Sequence, residues 1–489
     1  MGSIYRQTKQ SSMAAIALTM LTVLFSVTAR STQAQTYTPL YAFGAIDSTQ
    51  NGPIGQLALG RDGNFYGIVN PGLAEIYKIT PEGGETLLWS AGTEGSTVCS
   101  GLTLGADGLL YGTCQEWDSY TSNAGIIFKF DPSKGQSGFT TLYTFPYCGG
   151  SWFPNPLTLG SDGNLYGTTG YGQCGGDSNY GTFFKITPSG TFTMLHTFQG
   201  YAGNDAGDPS GALTLAANGN FYGTSQFGGN IGQNGGTLYE VTTKGKVTLL
   251  YSFTNSYEPF AGMTQGADGK FYGTTWEGGT YGEGTIFQLS GKKIKILHNF
   301  EQSPDNAAFP IFSLTLGTDG NFYSPSLDAA GGGYGPESLF EITTGKKSVY
   351  TDLFNLAPGG CSDATQDGCM MSSPMFLHPN GIFYGTTEQG GVYQGEDIGR
   401  GVFYSFNTGF KPYIILQYPQ GTIGKTIGIF GVGLTGTTAV DFDGVAANFT
   451  VVSDTYLTAT IPTGATTGYV TVTTPSETLK SAVKLTVKK

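Results

Sequence analysis

Apolar and polar positions alternate along this chain in short runs, and the runs recur. LTLGSDGNLYGTT (157–169) is followed by a Gly-rich loop, then GTFFKITPSG (181–190) and TFTMLHTF (191–198). The same order returns as GTLYEVTTKG–KVTLLYSF (236–253) and GTIFQLSGKK–IKILHNF (284–300). Runs of this length, rich in β-branched and aromatic residues, predict strands, four to a unit. No stretch keeps a helical period.

Asp-Gly or Asn-Gly separates the first two strands at 62–63, 107–108, 162–163, 218–219, 268–269, 319–320 and 380–381. Gly tolerates a positive φ there, so each dipeptide predicts a tight hairpin turn. Gly is present in every copy. Asn replaces Asp at 218 and 380, which points to a turn rather than to a repeated metal site. Thr-Pro-x-Gly or Thr-Thr-x-Gly is expected to close strands three and four, making both of these gaps short throughout. The other two gaps are long and variable.

The turn residues lie 45, 55, 56, 50, 51 and 61 positions apart. Four strands at this period predict an all-β fold, a seven-bladed β-propeller over 37–410. YTPLYAF (37–43) resembles a fourth strand, and GVFYSFN (401–407) ends the last unit at its third. The N-terminal strand is therefore expected to complete the last blade and remove the open edges. After 410 aromatics thin out and Thr and Val dominate. Residues 411–489 predict a small immunoglobulin-like β-sandwich.

Composition narrows the function. The 489 residues hold 78 Gly, 32 Phe and 29 Tyr, with a net charge of −12. No basic run occurs, so nucleic acid is not an expected partner, since phosphate binding relies on clustered cations. Arg6 and Lys9 precede the apolar run MAAIALTMLTVLFSV (13–27). This layout predicts a signal peptide over 1–34 and a secreted or cell-surface protein, periplasmic or extracellular. The run is shorter than the ~20 residues of a spanning helix, and no later one is long enough.

Export suits the six cysteines, none in a CxxC pair. A hairpin across Gly105–Gly108 that sets Thr103 opposite Leu110 also sets Cys99 opposite Cys114. Bridges are expected at Cys99–Cys114, Cys148–Cys174 and Cys361–Cys369.

The repeated unit resembles the GloVer tandem repeat of bacterial secreted and surface-anchored proteins, over roughly 37–410. The DGN-aromatic-Tyr-Gly-Thr, Gly-Gly and GTxF elements carry the resemblance. Unit one departs from it in YGIVNPGLAEIYKI (66–79), and unit six has Ser-Pro-Ser at 324–326. The tail resembles an IPT/TIG domain through Pro412, Ile414, Pro419, Gly421, Gly424 and IFGVGL (429–434). That resemblance implies an attachment or spacer module. Neither brings a catalytic residue with it.

In a propeller the short turns share one face and the long loops the other. Loops on a rigid scaffold carry function, so the long-loop face is the candidate site. Its aromatics Trp117, Trp152, Tyr171, Tyr180, Phe227, Trp276, Tyr281, Tyr334 and Tyr393, with Glu277 and Glu388, suit a sugar's C–H faces and hydroxyls. The expected partner is an extracellular glycan or a protein, bound without catalysis. Loop carboxylates leave a polysaccharide hydrolase or lyase as the alternative, and an architectural spacer as a third reading. No cofactor or metal is expected. The carboxylates would suit Ca2+, but no EF-hand loop, HExxH or GxSxG is present. His196 and His298 fall in fourth strands and read as structural.

Overall fold

The structure is a computed structural model. It describes residues 35–44, 52–69, 74–91, 97–116, 123–146, 154–170, 180–229, 235–254, 257–301, 309–327, 337–356, 367–393, 397–398 and 400–488. The expected leader, 1–34, lies outside them.

The chain is all-β, built largely from four-stranded antiparallel meanders. Unit three is representative: Thr158–Leu159, Leu165–Thr169, Thr182–Ile186 and Phe192–Thr197 pair in chain order. The middle strands are buried on both faces, whereas the fourth is half exposed. That is why TFFKI reads as a nearly continuous apolar run and FTMLHT does not. Thr36–Ala42 pairs antiparallel with Val402–Asn407, so the N-terminal strand is the outer strand of the last sheet.

Each sheet packs on the next through its own apolar cluster. Tyr66 and Ile76 of unit one meet Leu102 and Phe128 of unit two. Tyr323 and Leu339 of unit six meet Leu377 and Phe383 of unit seven. Phe376 and Phe403 of unit seven return to Phe65 and Tyr77 of unit one.

The repeated phrase is explained atom by atom. Gly63, Gly108, Gly163, Gly219, Gly269, Gly320 and Gly381 all have φ between 77° and 89°. The preceding Asp162 accepts the Asn164 N–H through Oδ1 at 3.2 Å and the Tyr166 hydroxyl through Oδ2 at 2.9 Å. Where Asn replaces Asp the bond reverses, with Asn218 Nδ2 donating to Tyr222 Oη at 2.9 Å. Both side chains serve because both keep an acceptor for the backbone. The Gly of Tyr-Gly-Thr carries a third-strand ring: a Cβ at Gly167 would sit 2.6 Å from Phe184, and one at Gly385 2.3 Å from the Tyr404 hydroxyl.

Adjacent units are also clasped near their first strands. Thr103 Oγ1 donates to Leu157 O at 2.6 Å, Thr158 to Leu213 O at 2.7 Å, and Thr264 to Leu314 O at 2.6 Å. Thr214 reaches Met263 O and Thr315 reaches Met375 O in the same way. Units one and seven hold Ala58 and Phe376 at this position. Other groups cross those two seams. His378 Nε2 lies 3.1 Å from Gly63 O between units seven and one. Between units one and two, Arg61 donates to Ala106 O at 2.5 Å, and Gln136 bonds both backbone groups of Ser90 at 3.1 and 2.8 Å.

Two expectations are corrected here. The connection between strands three and four is not short everywhere: in unit two it holds the 3-10 helix Pro132–Gly138, which carries Gln136. In the Cys99 hairpin, Thr103 faces Tyr111, not Leu110. A register shift between Cys99 and Leu102, with Gly101 at φ 114°, then brings Cys99 opposite Cys114, where the disulfide forms. The bulge offsets the one-residue error in the expected turn. Cys369 is also disulfide-bonded, to a partner outside the described residues, where Cys148, Cys174 and Cys361 lie.

Beyond residue 410, two four-stranded sheets enclose a separate core. Ile427, Ile429 and Leu457 lie on one side of it, and Val440, Phe442 and Val472 on the other. This segment sits on the Asp-Gly turns. Ser453 and Thr455 hydroxyls donate to Arg61 O at 3.2 and 2.7 Å, and the Arg61 guanidinium lies 4.8 Å from the Tyr456 ring. Gln420 reaches Ser161 Oγ at 3.2 Å, Lys488 reaches Asn218 O at 3.2 Å, and the Tyr413 hydroxyl reaches Leu377 O at 2.7 Å. The turn face is therefore covered over units one, three, four and seven.

Candidate functional site

With one face covered, the long-loop side is where a ligand would meet the sheets. Its described part is most continuous around units four and five, at 180–229 and 257–301. Each later unit approaches its first strand through a residue with positive φ: Asp208 at 54°, Glu258 at 41°, Phe309 at 50° and Met370 at 56°. In the first three a proline follows. Pro209, Pro259 and Pro310 press Cδ onto the Gly that opens the previous unit's third strand; a Cβ at Gly181, Gly236 or Gly284 would come within 2.8, 2.7 or 2.9 Å of them. Strain of this kind costs roughly 1–3 kcal/mol per residue. Its recurrence in four units makes it a feature of the joint, and it fixes the direction of Glu258.

Around Glu258 the loop folds back on itself. Trp276 N–H donates to Glu258 O at 3.0 Å, and Glu277 N–H donates to Tyr257 O at 3.3 Å. Burial, reinforced by the neighbouring Glu277, raises the Glu258 carboxyl above its ordinary range. Trp276 is half-buried, edge-on to Phe260 at 5.0 Å and to Phe309 at 6.1 Å. Tyr281, on the same loop, is 54% exposed. Tyr201 lies within electrostatic reach of Glu258 and stands edge-on to Tyr180 at 6.3 Å.

Trp276, Glu277 and Tyr281 are thus brought together on one loop, and Tyr180 approaches them through Tyr201. Tyr180 is largely a packing ring, since a Cβ at Gly200 would lie 2.7 Å from it. Phe227 lies at the end of the unit-four strand Phe221–Gly228, half-buried. Glu388 is half-buried on the unit-seven strand Phe383–Gln389. Val392–Tyr393 pairs with Asp397–Ile398. Trp117, Trp152, Tyr171 and Tyr334 lie outside the described residues.

Sequence reasoning passed over Tyr201, Tyr257 and Glu258. The signal was the acid–Pro dipeptide that recurs four to five residues before Leu213 and Met263, at Asp208-Pro209 and Glu258-Pro259. Asp205, another acid on the long-loop side, is committed elsewhere. It faces His196 Nε2 at 2.7 Å and accepts the Ala206 N–H at 2.8 Å. Among the described residues no group of three or more His, Cys, Asp or Glu is arranged to hold a metal ion. No helix among them is long and apolar enough to cross a membrane.

The model of the Gloeobacter/Verrucomicrobia repeat matches residues 2–229 and 208–439. The chain belongs to this repeat family. No curated protein matches it. Among solved structures, a luciferin-regenerating enzyme is similar at 11% identity and TM-score 0.39, over 78% of this chain and 98% of that one. A structural-genomics protein of unknown function from Bacteroides thetaiotaomicron VPI-5482 is similar at 14% identity and TM-score 0.38, over 59% of this chain and 72% of that one. At these scores neither likeness informs the chemistry of the Gloeobacter/Verrucomicrobia repeat protein.

Proposed function

We propose that this chain is an exported or cell-surface recognition protein, a seven-bladed β-propeller carrying a C-terminal IPT/TIG immunoglobulin-like module, with a glycan as its ligand. The observation that carries this reading is the Trp276–Tyr281 loop. It carries a half-buried indole, the carboxylate of Glu277 and an exposed phenol, and its first residue bonds to the Glu258 backbone, on the side away from the covered turns. Aromatic faces stack on sugar C–H surfaces, and adjacent carboxylates accept hydroxyl hydrogen bonds in a site of mixed polarity. The bridges Cys148–Cys174 and Cys361–Cys369 complete the proposal for an oxidising compartment.

A second reading has one observation in its favour. Glu258 is raised above the ordinary carboxyl range beside a second carboxylate, the pairing that glycoside hydrolysis uses for acid and base. One experiment separates the two. The full chain is screened against a panel of soluble and insoluble polysaccharides for retention and for released product. Recognition predicts retention without release, lost in Trp276→Ala and Tyr281→Ala. Release abolished by Glu258→Gln would establish the enzyme instead, and no retention anywhere in the panel would defeat the glycan reading.

A further inference from the structure

A half-open cavity of about 400 Å³ lies between the first strands of units one, five, six and seven and the C-terminal segment. None of the Trp276-loop residues lines it. Leu314, Met375 and Phe376 line it from the sheets, and Tyr413, Leu416 and Val483 from the segment that covers them. No Asp, Glu, Lys or Arg is among the described residues of its wall.

Four of the wall's five hydroxyls, all but that of Ser313, are committed to backbone carbonyls. Thr264 donates to Leu314 O at 2.6 Å, Ser481 to Val483 O at 2.7 Å, and Tyr413 to Leu377 O at 2.7 Å, while Thr315 donates to Met375 O. Ordered water needs about two to four polar partners, and apolar cavities of smaller size stay dry and take up apolar guests. The volume falls within the ~300–1,000 Å³ of small-molecule sites, which favour interfaces between domains. Three apolar clusters meet at this wall: Met375 and Tyr413 belong to one, Leu57 and Phe376 to a second, and Leu416 packs against the core of the C-terminal segment.

We propose that this chamber binds an uncharged, mostly apolar small molecule, held between the first strands and the segment that caps them. The ligand would contact both parts at once, so binding would also tighten the cap. It would do so independently of anything bound at the Trp276 loop.

The test uses N-phenyl-1-naphthylamine, a neutral fluorescent probe, titrated into the full chain. Saturable one-to-one enhancement is expected. The anionic anilinonaphthalene sulfonate, with similar rings, should bind at least about tenfold more weakly, because its charge would lose hydration in an apolar wall. Ala482→Phe fills the chamber from the cap and Ser313→Phe fills it from the sheets. Each should weaken probe binding about tenfold or more with unchanged circular dichroism, and if one fails to fold the other decides. Tyr281→Ala should bind the probe as the wild type does. No saturable enhancement, equal affinity for the anionic probe, full binding by a folded filled variant, or loss in Tyr281→Ala would each overturn the proposal.

Discussion

The two ends of the sheets are made by different rules. At the turn end, one joint is repeated with little change: an Asp or Asn anchors a Tyr hydroxyl, a Gly takes positive φ, and a C-terminal segment settles on the result. At the loop end the connections differ in length and content, and the residues with chemistry to offer gather in one place around Glu258. Repetition here marks structure, and departure from it marks the candidate site. The acid that recurs at five of the seven turns is the least informative in the chain; Glu258, which sequence reasoning passed over, is the more informative one.

Substitutions can break that contrast. The largest loss is expected at the ring-bearing glycines that both ends depend on. Gly385→Val would drive a side chain into the Tyr404 ring and hydroxyl, costing about 3 kcal/mol in denaturant unfolding, at the upper end for overpacking. Asp162→Ala should cost about 1–2 kcal/mol by stranding the hydroxyl of buried Tyr166 and the Asn164 N–H. Asp162→Asn should recover most of it, as units four and seven already use Asn. A metal role would leave Asn as damaging as Ala.

A smaller difference separates a turn glycine in contact with the cap from one whose Cβ position is open. A Cβ at Gly63 meets Thr455 of the cap at 2.6 Å, whereas one at Gly320 meets nothing within 4 Å. Gly320→Ala should therefore show only backbone strain, about 1 kcal/mol. Gly63→Ala should lose more and expose the C-terminal segment to proteolysis. Equal losses would mean that the cap contributes nothing there.

The pH dependence is subtler. His378 crosses the turn-face seam and His298 stacks on Tyr350 at 4.0 Å; burial lowers both, His298 from 6.5 to about 4. A depressed folded value means that the unfolded chain takes up protons first on acidification. Stability should therefore fall between about pH 6.5 and pH 4, the window set by His298. His298→Phe should gain Tm relative to the wild type across that range. A constant difference would contradict the assignment. Smallest of all in stability is Tyr281→Ala, within about 0.5 kcal/mol for an exposed side chain, although polysaccharide retention should be lost.

Much of the fold was legible because turn chemistry is local. Asp-Gly dipeptides, third-strand runs such as TFFKI and the outer N-terminal strand could be read from spacing alone. The Cys99 pairing was reached through a hairpin register one residue off, because the bulge at Ser100-Gly101 has no signature until the neighbouring sheet is present. The seam-crossing roles of Arg61 and His378, and the seating of residues near Thr455 and Lys488 on turns hundreds of positions away, depend on contacts no local pattern encodes. Of the candidate site, Trp276, Glu277 and Tyr281 were legible as an aromatic and acidic loop. Glu258 was hidden by its place at the end of a connection, where only the following proline hinted at its backbone.

The contrast between a covered and an uncovered copy of one joint can be measured directly by hydrogen–deuterium exchange on the intact chain. The Gly63 and Gly269 amides make the same bond, to Gly60 O at 3.1 Å and Gly266 O at 2.9 Å. Only the first lies beneath cap residue Thr455; a Cβ at Gly269 would meet nothing within 4 Å. Slower exchange at 61–64 than at 267–270 is the predicted result. Equal rates in the two turns would contradict a unit-one turn sealed by the C-terminal segment.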